Sequence, residues 1–139
     1  CQGFQMVISP TDQEETNARV ARECKAAGIL VNVVDDPPKC SFFVPSVLRR
    51  GNLVIAVSTG GASPTTARLI REGLEQQYGP EYGPYLELLA ETRKVVLKNV
   101  PDSERRREIF EQLSNGSLLR LIEQGCMYEA KEWVKKCLS

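Results

Sequence analysis

The chain has 139 residues, 42% hydrophobic and 26% charged, with 18 basic side chains against 18 acidic ones and no histidine. A formal net charge of zero excludes a global field for nucleic acid or a membrane surface, so any anion site must be local. No apolar run reaches the roughly 18 residues of a membrane span, and acid–base work near neutral pH falls to Asp, Glu, Lys, Tyr, Cys or water.

The first residues, "CQGFQMVIS", lack the basic-then-apolar pattern of a signal peptide. Cysteines at 1, 24, 40, 126 and 137 form no C-x-x-C pair. They read as reduced thiols of a cytoplasmic protein, and no metal site is expected.

In chain order, the apolar run Phe4 to Ser9 predicts a strand ended by Pro10-Thr11-Asp12. Thr11 or Asp12 can cap a helix from about Gln13 to Ala27, with Val20, Cys24 and Ala27 on its apolar face and Gly28 as its stop. Ile29 to Asp35 is a second strand, ended by Asp36-Pro37-Pro38, and strand, helix and strand at this spacing predict a parallel βαβ unit. Two β-rich runs then flank Arg49-Arg50-Gly51-Asn52 as a hairpin, with Pro45 confining the first to an edge or a bulge. A helix is expected over 64–77, burying Ala67, Ile70 and Leu74. The stretch "YGPEYGPY" (78–85) reads as a connector, followed by helices at 86–98, 102–113, 117–124 and 127–137. Asp102 or Ser103 would cap the second of these, and Trp133, Val134 and Leu138 would face inward on the last.

Three turns carry chemistry. In "VSTGGASP" (57–64), Ser63 is an N-cap with Pro64 at the first helical position. Gly60 and Gly61 let backbone N–H groups converge ahead of the positive helix end, which makes an anion cradle. A plain strand–helix turn that needs positive φ is the other reading. It is no Walker A loop, since no Gly-Lys-Ser/Thr follows. In "NVVDDPPKC" (32–40), Asp35 sits where open α/β sheets place ligands, and paired with Asp36 it offers a base whose pKa a neighbouring acid raises. Turn capping accounts for both acids equally. "PTDQEETN" (10–17) faces the same crevice, as a ligand turn or simply as a capped helix. The "ERRRE" run (104–108) and the other arginines read chiefly as solvated surface.

Taken together, "TDQEETNARVA", "NVVDDP", the F-x-x-P of Phe42 to Pro45 and "STGGASP" leading into "ARLIRE" resemble the precorrin-2 dehydrogenase family, the dehydrogenase part of sirohaem synthase. The likeness covers nearly all of residues 4 to 98 and continues more loosely into the tail. It implies NAD-dependent oxidation of precorrin-2 to sirohydrochlorin, and in some members insertion of ferrous iron as a further substrate. It further implies Asp35 as the catalytic residue, Thr59, Gly60, Gly61 and Ser63 beside the tetrapyrrole, and Thr11 and Asp12 against NAD. A homodimer formed through about Ser41 to Gln77 is implied too.

The expected fold is α/β. Residues 1–37 would form the C-terminal part of a Rossmann-like parallel sheet, 38–79 a mixed α+β region for dimerisation and tetrapyrrole binding, and 80–139 a small helical domain. No G-x-G-x-x-G occurs; in the family that loop precedes the point where this chain starts. The expectation is therefore a piece of a longer protein, inactive alone, binding NAD poorly and exposing a strand edge and apolar faces. A non-catalytic dimeric module that binds tetrapyrrole or anions is the alternative.

Overall fold

A computed structural model describes residues 3–138. Cys1, Gln2 and Ser139, which end the first and last expected segments, lie outside the described residues. The chain forms two compact units, one running to Ser46 and including Ala56–Ile70, the other comprising Val47–Ile55 and the chain from Arg71 onward.

The first unit opens with the βαβ arrangement. Strands β1 (Met6–Ser9) and β2 (Leu30–Val33) pair in parallel, Val7 opposite Val31 and Ser9 opposite Val33. Side chains alternate across a strand, so Val7, Ser9, Val31 and Val33 share one face. That face packs on helix α1 (Glu14–Ala26) through Cys24, Val20 and Ala21, with Cys24, Val31 and Val33 fully buried. Met6, Ile8 and Leu30 hold the other face and are exposed, as expected of a sheet left with apolar surface.

Helix α1 begins with Glu14 and Glu15 and ends with Lys25, charges that suit its dipole. Its cap differs from expectation. Gln13 is the N-cap, but its side chain caps no backbone N–H and accepts instead from the Thr16 hydroxyl at 3.1 Å, while Thr11 accepts the Gln13 N–H at 3.1 Å. Thr11 therefore braces the turn one step before the helix, and Asp12 caps nothing among the described residues.

Beyond β2, Pro37–Lys39 make one turn of 3₁₀ helix. Strand β3 (Ser46–Arg50) starts directly after Pro45, so the residues before the proline stay out of the ladder. Strand β4 (Leu53–Val57) joins it through Gly51-Asn52, and the two make a hairpin. Gly51 has φ +56, and a Cβ there would stand 3.2 Å from the Gly83 Cα, so a side chain would strain the turn and crowd the neighbouring backbone. Helix α2 (Pro64–Gln77) takes the predicted bounds. Its expected buried face is corrected in part: Ala67 is buried, but Ile70 is 47% exposed and Leu69 56%. Periodicity marks an apolar stripe without supplying what covers it.

In the second unit, helix α3 runs Tyr82–Asn99 and so starts four residues before its predicted position. Pro84 lies in its first turn, where no N–H is needed. Helices α4 (Ser103–Leu113), α5 (Ser117–Glu123) and α6 (Met127–Leu138) follow. Asp102 caps α4 by accepting the N–H groups of Glu104 and Arg105 at 3.3 and 3.1 Å. Leu88, Val96, Ile109, Leu113, Leu118 and Val134 fill the core of this bundle, with Trp133 and Leu138 packed against it. No helix is long and apolar enough to cross a membrane among the described residues.

Candidate functional site

The site grows from the end of β2. Asp36 donates its N–H to the Val33 carbonyl at 3.2 Å, closing a tight turn. Inside that turn Asp35 has φ +60, the sole non-glycine positive φ among the described residues. Such a conformation costs an L-residue roughly 1–2 kcal/mol, and aspartate is among the few that tolerate it. Asp35 is exposed and makes no hydrogen bond or ion pair among the described residues, whereas the Asp36 carboxylate accepts from the Lys39 ammonium. One of the two adjacent acids is thus neutralised and the other faces solvent.

The segment after the 3₁₀ turn holds β2 in place. The Val33 N–H donates to Cys40 Sγ at 3.2 Å, and the thiol lies 3.2 Å from the Val33 carbonyl and 3.3 Å from that of Asp36. Ser41 accepts the Val31 N–H at 2.8 Å and returns its own N–H to the Val31 carbonyl at 2.7 Å. Asn32 Nδ2 donates to the Phe42 carbonyl at 3.0 Å. Side chains of residues 40 and 41 thereby replace a neighbouring strand along the second edge of β2.

A cleft of about 390 Å³ opens at this strand end within the first unit. Its walls include Asp35, Asp36, Cys40, Phe43, Thr59 and Gly61. The 57–64 turn is built largely from its own bonds. Thr59 Oγ1 accepts the Ser63 N–H and donates to the Ser63 carbonyl, both at 3.0 Å. Gly60 N–H donates to Ser58 Oγ at 3.2 Å, and Ala62 N–H to the Thr59 carbonyl at 3.1 Å. Ser63 caps α2 by accepting the Thr66 N–H at 3.2 Å. Gly61 has φ +84, and the Phe43 ring occupies the place a Cβ would take. Thr59 and Gly61 line the cleft, while Gly60 and Ser63 stand outside its lining and shape the turn. The Thr59 and Gly61 N–H groups make no bond among the described residues, and both residues line the cleft.

A second cleft of about 340 Å³, in the same unit, is lined by Thr11, Asp12, Glu14, Asn17, Asp35 and Asp36 among others. Asp35 and Asp36 belong to both clefts. The second lining is rich in carboxylates and holds no Arg or Lys. It suits hydroxyl donors such as a ribose and opposes a phosphate. Among the described residues, no group of three or more His, Cys, Asp or Glu gathers around one point as a metal centre.

Asn17, Cys40 and Phe43 were not among the sequence candidates for this site. Asn17 left a signal, since it sits on the same helical stripe as Val20 and Cys24 yet is polar. Cys40 left none, because its role is set by β2, seven residues away in sequence.

A parallel βαβ element with ligand clefts at its strand end, followed by a hairpin, a helix and a helical bundle, defines a Rossmann-like α/β protein with a helical C-terminal region. Three family descriptions match in succession: putative NAD(P)-binding over residues 1–46, sirohaem biosynthesis protein central over 50–77, and sirohaem synthase dimerisation region over 81–138. Together these matches make the chain similar to sirohaem synthases in successive segments along nearly its whole length. Sirohaem synthases of Thioalkalivibrio sulfidiphilus and Pseudomonas paraeruginosa are each 39% identical to it, over 96% and 99% of this chain. That of Methylococcus capsulatus is 37% identical over 94%. The chain spans 27–30% of the length of these relatives. A solved structure titled SirC, precorrin-2 dehydrogenase shares the fold, with a TM-score of 0.61 at 22% identity, covering 94% of this chain and 81% of the other.

Proposed function

We propose that this chain is part of a cytoplasmic, homodimeric enzyme of sirohaem biosynthesis that oxidises precorrin-2 to sirohydrochlorin. NAD, when bound, accepts the hydride. Asp35 takes the accompanying proton, so two electrons and two hydrogens leave the substrate and NADH forms. The observation that carries this reading is the position of Asp35 in the wall common to both clefts. A base there meets substrate on one side and cofactor on the other.

In this reading the tetrapyrrole lies along Thr59 and Gly61, on a turn shaped by Gly60 and Ser63, with the Gly61 amide offered to a substrate carboxylate. Thr11 and Asp12 take the hydroxyl-bearing part of NAD. Residues 1–37 serve the cofactor, 38–79 the substrate and the dimer contact, and 80–139 the helical domain. Ferrous iron is a further substrate of the same cleft, with Asp35 receiving one of the two displaced pyrrole protons and solvent water the other. These 139 residues contain no G-x-G-x-x-G turn to hold a pyrophosphate, so by themselves they do not turn over. Their behaviour alone is that of a dimeric tetrapyrrole-binding module.

The test is turnover by the full-length protein. Precorrin-2 with NAD should yield sirohydrochlorin and NADH in equal amounts; no NADH formation would overturn the assignment.

A further inference from the structure

We infer that Asn17 is a positioning residue that fixes the Thr11–Asp12 turn, and through it the affinity for the dinucleotide; this rests on the reading of that turn as the NAD contact. Asn17 and Ser9 are 7% and 6% exposed, a polar pair enclosed between α1 and the sheet. Ser9 Oγ donates to Asn17 Oδ1 at 2.7 Å, and Asn17 Nδ2 donates to the Thr11 carbonyl at 2.8 Å. The end of β1, the turn after it and the first turns of α1 are thereby joined through one amide group.

Burying two polar side chains costs free energy that their mutual hydrogen bonds only offset. A leucine at 17 would extend the apolar stripe of Val20 and Cys24 and serve the core as well. What only asparagine supplies is a donor and an acceptor at once, holding the Thr11 carbonyl at a fixed distance from β1. Asn17 also lines the second cleft with Thr11, Asp12 and Asp35, so the turn it holds is the wall of a site. Aspartate in its place has the same shape but no donor, and its charge would repel the Thr11 carbonyl.

In the full-length protein, Asn17→Asp, Asn17→Leu and Ser9→Ala are compared with the parent for turnover, melting temperature and amide hydrogen exchange. Losing one such bond should raise KM for NAD about tenfold, with kcat and KM for precorrin-2 nearly unchanged. Exchange across residues 11–13 should quicken in both Asn17 variants while residues 30–33 keep the parent rate. An unchanged KM for NAD beside unchanged exchange overturns the inference. So does a joint rise of both KM values that follows loss of melting temperature across the set, which marks a merely structural residue. Faster exchange at 11–13 in the Asn17 variants, beside a parent whose turnover shows no NAD dependence, would retain the positioning role and remove the functional reading instead.

Discussion

Lys39 donates to the Asp36 carboxylate across the single 3₁₀ turn after β2, leaving Asp35, the preceding residue, without an ionic partner among the described residues. Two acids that look interchangeable in sequence thus have different surroundings. Asp36 is part of the turn's structure. Asp35 lines the same two clefts as Asp36 but has no ionic partner among the described residues.

This latch has a pH signature. Its hydrogen bond to Asp36, outweighing the opposing desolvation, raises the Lys39 pKa above its ordinary 10.5. A lysine with a raised folded-state pKa stabilises while charged, so the contribution is complete below 10.5 and fades as pH climbs through the raised value. Urea midpoints of the parent and Lys39→Met should differ by a constant amount from neutral pH up to 10.5 and converge above it. Convergence already at neutral pH would show that the latch contributes nothing.

Gly60 and Gly61 both have positive φ but differ in their surroundings. Nothing lies within 4 Å of a Cβ on Gly60, whereas the Phe43 ring fills that place at Gly61. Gly60→Ala should cost roughly 1–2 kcal/mol for the left-handed backbone alone. Gly61→Ala should cost clearly more in denaturant unfolding, and Phe43→Leu should recover part of the difference. Equal costs would contradict the packing of Phe43 against the turn.

Cys40 accepts the Val33 N–H. Cys40→Val orphans that buried donor, with an expected loss of about 1–3 kcal/mol. Cys40→Ser keeps a donor and an acceptor and should lose less. Chemical denaturation of the two variants checks the order.

Much of the fold was legible before the structure. The short apolar runs "FQMVIS" and "ILVNVVD", with a helix and Gly28 between, predict a parallel pair, and Ser63-Pro64 marks the start of α2. What sequence left open has physical causes. The start of α3 was masked by Pro84, which signals a break in general but is neutral in a first turn. Ile70 fits a buried stripe by period, yet burial depends on a covering surface that local sequence does not carry. At the site, Asp35 was legible by its strand-end position. Its separation from Asp36 was not, because that depends on where the 3₁₀ turn sends Lys39. Asn17 and Cys40 act on residues six to eight positions distant, through contacts that exist only once β1 and β2 respectively are in place.

The exposed Ile70 and Leu69 of α2 lie in the stretch expected to pair two protomers, whereas the dimerisation description matches residues 81–138. Ile70→Glu should convert the dimer to monomer in sedimentation velocity. Leu97→Glu, on the exposed side of α3, should leave it intact. The reverse pattern would move the pairing surface to the helical region.

The central claim is that Asp35 alone of the two adjacent acids handles the proton. The substitutions Asp35→Asn and Asp36→Asn separate them, since asparagine keeps the shape of each side chain and tolerates the left-handed backbone at position 35. In the full-length protein, Asp35→Asn should lower the rate of sirohydrochlorin formation about 10²–10⁴-fold at an unchanged melting temperature, with Asp36→Asn close to the parent. Parent-like turnover by Asp35→Asn would contradict the account.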